Sequence, residues 1–587
     1  MEQKRCMRAA LALVLAGGLG ISACASPAQS GDVGERFDAY MDDLFYEDIV
    51  LNTVNLHYTL AHPENYGITE YEVTLGDYSR EKMEEGYEDL EEMKKELESY
   101  DREDLSADQQ LTYDIFMDYA DTELDVKDLT YYSEPLGPLG GVQSNLPVIL
   151  AEYTFRTKQD IEDYLALAGQ MDEYFADVIE FEKEKADAGL FMPDDTADDV
   201  LEQCTEFIAD IENNYMIDVF NDKIDAFDGL SDEERQAYKD QNYLIVTTDV
   251  REAFQIVIDG LTELKGSGEN ELGLCYYEDG IRYYKYLIRT GVGTDASVSE
   301  LIQRTKNYMD RCMDQMVDVI TENPEIWYEI DDYAFPLTDP DEILADLTEK
   351  IKTDFPEPPD VGYEVKYVHP SMQEHMSPAF YLTTPIDDID NNVIYINPEH
   401  LGEDSVQDLY TTLAHEGYPG HLYQNSCTNS SNLPLARNLL GCSGYTEGWA
   451  TYVEFYSYGI SGLDKNLTDV LRWNQAFTLG IYAYLDLQIH YNGWDRDDVK
   501  SYLNDYGIDD EEAADEIFET LRAEPAEYLN YFIGYLEFLD LRNNARKELG
   551  DAFSAKEFHR FLMETGPAPF YIIRQHMGTW IEEQKAA

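Results

Sequence analysis

"LAHEGYPGHLYQ", residues 413–424, sets two histidines, His415 and His421, six positions apart, with Glu416 directly after the first. Histidines four apart on a helix fall about 40° from each other and reach a common ion, whereas six apart they fall about 120° from each other. The two extra residues are Pro419 and Gly420. Proline removes a main-chain donor and clashes with the preceding turn, and glycine tolerates the distorted backbone beside it. A helix that bulges or breaks here returns His421 to the face that carries His415. A regular helix instead leaves two unrelated histidines, and spacing alone leaves both readings open.

Working outward, "GYTEGWATYVEFY" (444–456) places Glu447 on a second apolar, helix-like segment 26 residues after His421. Two histidines and a glutamate are a common zinc set that leaves a fourth position open. Zinc lowers the pKa of a bound water from about 15.7 toward ~7. Glu416 could take that water's proton and pass it to a leaving group. Glu454, two helical turns after Glu447, shares its face and could orient a ligand histidine from behind; it reads equally well as a surface glutamate.

The rest of the 587-residue chain is dominated by helical patterns, as in 160–189, 297–320 (with Ser299 ahead of the amphipathic run) and 527–550. The best strand is "NNVIYIN" (391–397), closed by Pro398. Without repeats or low-complexity linkers, one large, mostly α body is expected over 37–587, with an N-terminal lobe (37–300) and a metal-bearing lobe (301–587).

The chain holds 121 Asp and Glu against 41 Lys and Arg, a formal charge of −80. Such a field repels phosphate backbones, which excludes nucleic acid as a partner. Lys4, Arg5 and Arg8 precede a short apolar run ending in "ISAC". That resembles a lipoprotein signal (1–23) with Cys24 as the lipid-bearing residue, followed by a flexible tether over 24–36. The expected address is the outer face of a bacterial membrane, with the membrane touched only through the anchor. Of the remaining cysteines, Cys427 and Cys442 are the pair to test for a disulfide.

"HEGYPGHLYQ" followed by "EGWATYVEFY" resembles the bacterial family called domain of unknown function 885, whose hallmark is H-E-x-x-P-G-H and then E-G-W-x-x-Y. "LDLQIHYNGWDRDDVKSYL" (485–503) is similar to a further segment of that family, with Gln488 where glycine is usual. "EPAEYLNYFIGYLEFLDLR" (524–542), 273–302 and "NVIYIN" also match. The resemblance implies a gluzincin-like helical metallopeptidase body with a deep cleft, a metal helix on its floor and a small β-sheet beside it. It implies one Zn2+ held by His415, His421 and Glu447, Glu416 as base, and a peptide substrate. The mode expected is carboxypeptidase-like or dipeptidase-like. His490 and Tyr531 become candidates for the chemistry, and Arg542 for clamping a substrate carboxylate. Strand 391–397, with Tyr395, would offer edge hydrogen bonds to an extended peptide. The rivals are a catalytically inactive peptide-binding lipoprotein on the same fold, and a metal-dependent hydrolase of another amide or ester.

Overall fold

The computed structural model describes residues 32–330, 333–373, 376–400 and 408–586. Cys24 and the signal segment lie outside the described residues. The first helix, Val33–Asp48, takes in the last four residues of the segment read as a tether, and the Asp32 carboxylate caps it by accepting from Val33 N. Asp at this position satisfies a main-chain donor that the first turn leaves open.

Among the described residues there are 23 α-helices and a single three-stranded sheet. The periodic stretch 160–189 forms two helices, Lys158–Ala168 and Met171–Asp187, parted at Gly169 and Gln170. The stretch 297–320 forms Val298–Glu322, and its cap is Ser297 rather than Ser299. The Ser297 hydroxyl accepts from Glu300 N while the Glu300 carboxylate accepts from Ser297 N. That reciprocal pair satisfies two end donors at once. No helix among the described residues is long and apolar enough to cross a membrane.

The largest apolar core joins helices Val298–Glu322, Ser443–Tyr458, Lys465–Leu487, Glu527–Leu549 and Phe570–Ala586. A second core is built mainly from residues 54–261 and receives Phe380 from the sheet. Helix Ser443–Tyr458 runs through the middle of the first core and is buried on nearly every side. It crosses Glu527–Leu549 through glycines: a Cβ on Gly448 would lie 2.4 Å from the Gly534 carbonyl carbon. Only hydrogen at these positions lets the two backbones approach so closely.

The strands are β1 (Tyr363–Tyr367), β2 (Ala379–Leu382) and β3 (Asn392–Ile396), in the order β1-β3-β2. β1 runs parallel to β3 and β2 antiparallel to it. The strand expected to present a free edge is therefore the central one, with its main chain paired on both sides. The edges belong to β1 and β2.

Candidate metal centre

The helix that carries His415, Leu409–Glu416, stops where the glycine and proline begin. Gly417 N closes the last turn onto Leu413 O, the Tyr418–Pro419 peptide is cis, and a new helix starts at His421 and runs to Asn429. Gly420 sits where a Cβ would come 1.7 Å from His415 O, so no other residue fits the break without moving it. The two helices together bring the imidazoles to a ring-centroid separation of 4.9 Å with their planes 79° apart.

Glu447 enters from helix Ser443–Tyr458. Its Oε2 lies 3.6 Å from His415 Nε2 and 3.6 Å from His421 Nε2. One ligand atom from each of the three residues falls within 4.8 Å of the others. Zinc bonds of ~2.0–2.2 Å in a tetrahedron place neighbouring ligand atoms about 3.3–3.6 Å apart, so the group has the dimensions of a metal site. Glu447 Oε2 is buried and has no hydrogen-bond partner among the described residues. An unpaired buried carboxylate oxygen is costly unless a cation completes it. Burial alone would raise the Glu447 pKa, but the His421 and His415 rings outweigh it and hold the carboxyl at about 2.

On the side of the His415 ring away from Glu447, Glu454 Oε2 stands 3.0 Å from Nδ1. That contact fixes the ring and leaves Nε2 facing Glu447. Glu416 is buried, and its Oε2 accepts from Tyr381 N at 3.0 Å. Tyr381 lies on β2. Asn397 N donates to Pro378 O, so by alternation Phe380 pairs with β3 while the main-chain groups of Ala379 and Tyr381 turn the other way. That other way is toward a cavity of about 840 Å³, lined by His415, Glu416, His421 and Glu447 together with Ala379, Tyr381, Gln424 and Thr428. The N-terminal half also lines it, with residues that include Asp48, Tyr119 and Glu123. Burial pushes the Asp48 and Glu123 carboxyls up to about 7. Arg289 is the one Arg or Lys among the described residues lining the cavity, and it is already paired with Asp118 and with Thr122 Oγ1.

The remaining candidates lie elsewhere. His490 is fully buried: Nδ1 accepts from Leu274 N at 3.1 Å and Nε2 donates to Leu521 O at 2.8 Å. With both nitrogens used in packing, it is a core histidine rather than a catalytic one. Asp486, one turn before it, instead accepts from Tyr284 OH and Ala526 N. Arg542 donates to Tyr452 OH at 3.2 Å and lies over that ring; Tyr452 in turn contacts His559 Nε2. This internal chain holds the guanidinium against Ser443–Tyr458, and Arg542 is not among the cavity-lining residues. Tyr531 is buried in its helix and is likewise not among them. Tyr395 donates to Glu152 Oε2 at 2.7 Å and stacks on Phe380, so it ties the sheet to the N-terminal half instead of meeting a substrate. Cys427 and Cys442 are free and buried, and Cys442 Sγ is turned to Ala568 O.

Two contributors escaped the sequence reading. Tyr381, distant in the chain, reaches Glu416 only through the fold. Gln424 stands one turn after His421, a spacing that could have flagged it.

The profile of the family described as "Bacterial protein of unknown function (DUF885)" matches residues 63–577. The chain belongs to the DUF885 family. No curated protein matches this DUF885 chain. Among solved structures it is similar to a candidate lipoprotein from Colwellia psychrerythraea, with 20% identity, a TM-score of 0.81, and coverage of 94% of this chain and 100% of that one. It is also similar to a candidate lipoprotein of unknown function from Shewanella oneidensis, with 17% identity, a TM-score of 0.63, and coverage of 92% and 99%. At these identities the likeness shows that this DUF885 chain and the two lipoproteins share a fold.

Proposed function

We propose that this protein is a zinc-dependent peptidase, exported and held at a membrane by lipid on Cys24. The observation that carries the reading is the buried Glu447 Oε2, equidistant from two imidazole Nε2 atoms and opening on a cavity beside Glu416. His415, His421 and Glu447 would hold the ion, and the mixed imidazole and carboxylate set suits zinc. Bound there, zinc would supply the Lewis acidity that makes water nucleophilic at neutral pH. Glu416 accepts the proton released by the attacking water and delivers it to the departing amine. Tyr381 N holds one of its two carboxylate oxygens, which orients the group for that transfer.

An extended peptide can pair with the outward groups of β2 that Glu416 does not take, the main chain of Ala379 and the carbonyl of Tyr381. In this reading β2 takes the place that strand 391–397 was expected to take. The anchor reading is supported by the "ISAC" signal and by the two structural relatives, both described as candidate lipoproteins.

The test is metal analysis of the purified protein joined to Glu416→Gln. Zinc near one per chain, peptide cleavage by the wild type, and a 10²–10⁴-fold loss in the variant with zinc retained are expected. Undiminished hydrolysis by Glu416→Gln rejects the assigned base. Peptide binding without cleavage by the zinc-loaded wild type favours an inactive peptide-binding lipoprotein, and cleavage of another amide or ester instead moves the substrate class.

A further inference from the structure

Helix His421–Asn429 carries more than its first residue into the cavity. Positions 421, 424 and 428 fall on one face of a helix, and all three line the cavity wall. Gln424 is only 4% exposed, yet its Nε2 has no hydrogen-bond partner among the described residues. Thr428 Oγ1, one turn further, is buried and unpartnered in the same way. Their neighbour Asn425 shows the contrast: its Nδ2 donates to Tyr381 OH at 2.9 Å and to Thr384 Oγ1 at 3.2 Å. Asn425 thus locks the helix to β2 and fixes its rotation, which leaves Gln424 and Thr428 turned to the cavity. Enclosing an amide donor and a hydroxyl without partners is unfavourable for the fold itself.

We propose that Gln424 and Thr428 form a track that binds the main chain of an extended peptide leading away from the metal site, with the Gln424 amide donating to a substrate backbone carbonyl. The inference rests on the peptidase reading and names its substrate feature: main chain, not side chain. The spacing supports it. Four helical residues span about 6 Å, and groups facing the same way on an extended chain recur every ~6.8 Å. Gln424 stands about 4.5 Å along the helix axis from His421, little more than one extended residue from the metal ligand. With β2 on one side and this helix face on the other, both edges of the bound main chain find partners.

The test uses the zinc-loaded full chain, purified in detergent. A defined mixture of unblocked hexapeptides is offered, and the best-cleaved member is resynthesised with each backbone carbonyl in turn replaced by an alkene. Gln424→Leu should raise KM roughly 3- to 10-fold, while the melting temperature holds or rises because an unpaired buried donor is gone. One isostere should cost the wild type a similar factor and cost Gln424→Leu nothing more. Gln424→Glu, which keeps the shape and turns donor into acceptor, should lose at least as much, and Thr428→Val should lose less. Wild-type kinetics in Gln424→Leu, or a lowered melting temperature without coupling to any isostere, overturns the track. If the wild type cleaves none of the mixture, the peptidase reading fails separately. Calorimetric binding of the same peptides then decides: weakening by Gln424→Leu supports the track, and unchanged binding overturns it.

Discussion

The indole N–H of Trp449 donates to the main-chain carbonyl of Pro419 at 2.8 Å. The residue two places after Glu447 thus clamps the break that lies between His415 and His421. Trp449 is fully buried, so the carbonyl it satisfies has no access to water. The P-G insert and the E-G-W triplet are two halves of one contact. Gly420 permits the break, Trp449 holds it, Gly448 lets the holding helix sit against its neighbour, and Glu447 projects between the imidazoles.

Removing that donor should loosen the site before it unfolds the protein. Trp449→Phe keeps most of the ring volume and strands the Pro419 carbonyl, which costs about 1–3 kcal/mol. Denaturant titration should show that loss, and chelator competition should show weaker zinc binding. Unchanged zinc affinity alongside lowered stability would mean the contact serves the core alone.

Backbone crowding gives a harsher outcome at Gly448. A methyl there meets the Gly534 carbonyl carbon at 2.4 Å, contact with main chain that no rotamer can relieve. Gly448→Ala should cost more than the ~1–3 kcal/mol typical of an overpacked core, or prevent folding. Soluble yield and a thermal melt measure it.

Glu454→Gln tests the support of His415 from behind. The carboxylate contact at Nδ1 orients the ring and raises its basicity, and losing such a partner typically weakens metal binding 10–100-fold. Zinc competition against a chelator of known affinity reads this, with circular dichroism as the check that the fold is kept.

His490 predicts a pH dependence of stability. Burial pushes its pKa down to about 4 from the ordinary 6.5. Between those values the unfolded chain binds a proton that the folded chain refuses, so this residue's contribution is intact above pH 6.5 and drains away as pH falls toward 4. A shift of this size corresponds to roughly 3 kcal/mol. The drop in stability from pH 7.5 to 5, measured by denaturant midpoint, should be smaller in His490→Gln than in the wild type. Equal drops would show that the ring titrates alike in both states.

How far the sequence could be read depends on the range of each interaction. The helices over 297–320 and 527–550 were legible because their signal is local: an apolar run at helical spacing with a stop or start signal at its end. The convergence of His415 and His421 was legible because proline and glycine mark their own distortion at 419 and 420. Strand 391–397 was also visible, but its central place was not, because its partners at 363–367 and 379–382 pair through contacts that periodicity does not encode. Tyr531 and Arg542 share a helix face by spacing. Their helix is apolar around most of its circumference from Leu529 to Phe538, so no pattern told which face meets the cavity. His490 misled because a buried neutral imidazole satisfied by main chain looks, in one dimension, like one waiting for a substrate.

The near-total burial of helix Ser443–Tyr458 carries a consequence for how such proteins diverge. A helix at the centre of the core is kept by selection for folding whether or not any reaction takes place, so an intact E-G-W segment testifies to architecture and is silent on turnover. Glu416 is the better witness. In a relative without hydrolysis the tryptophan should persist where Glu416 does not, and the acidic walls contributed by the N-terminal half should be the ground on which other ligands are accommodated.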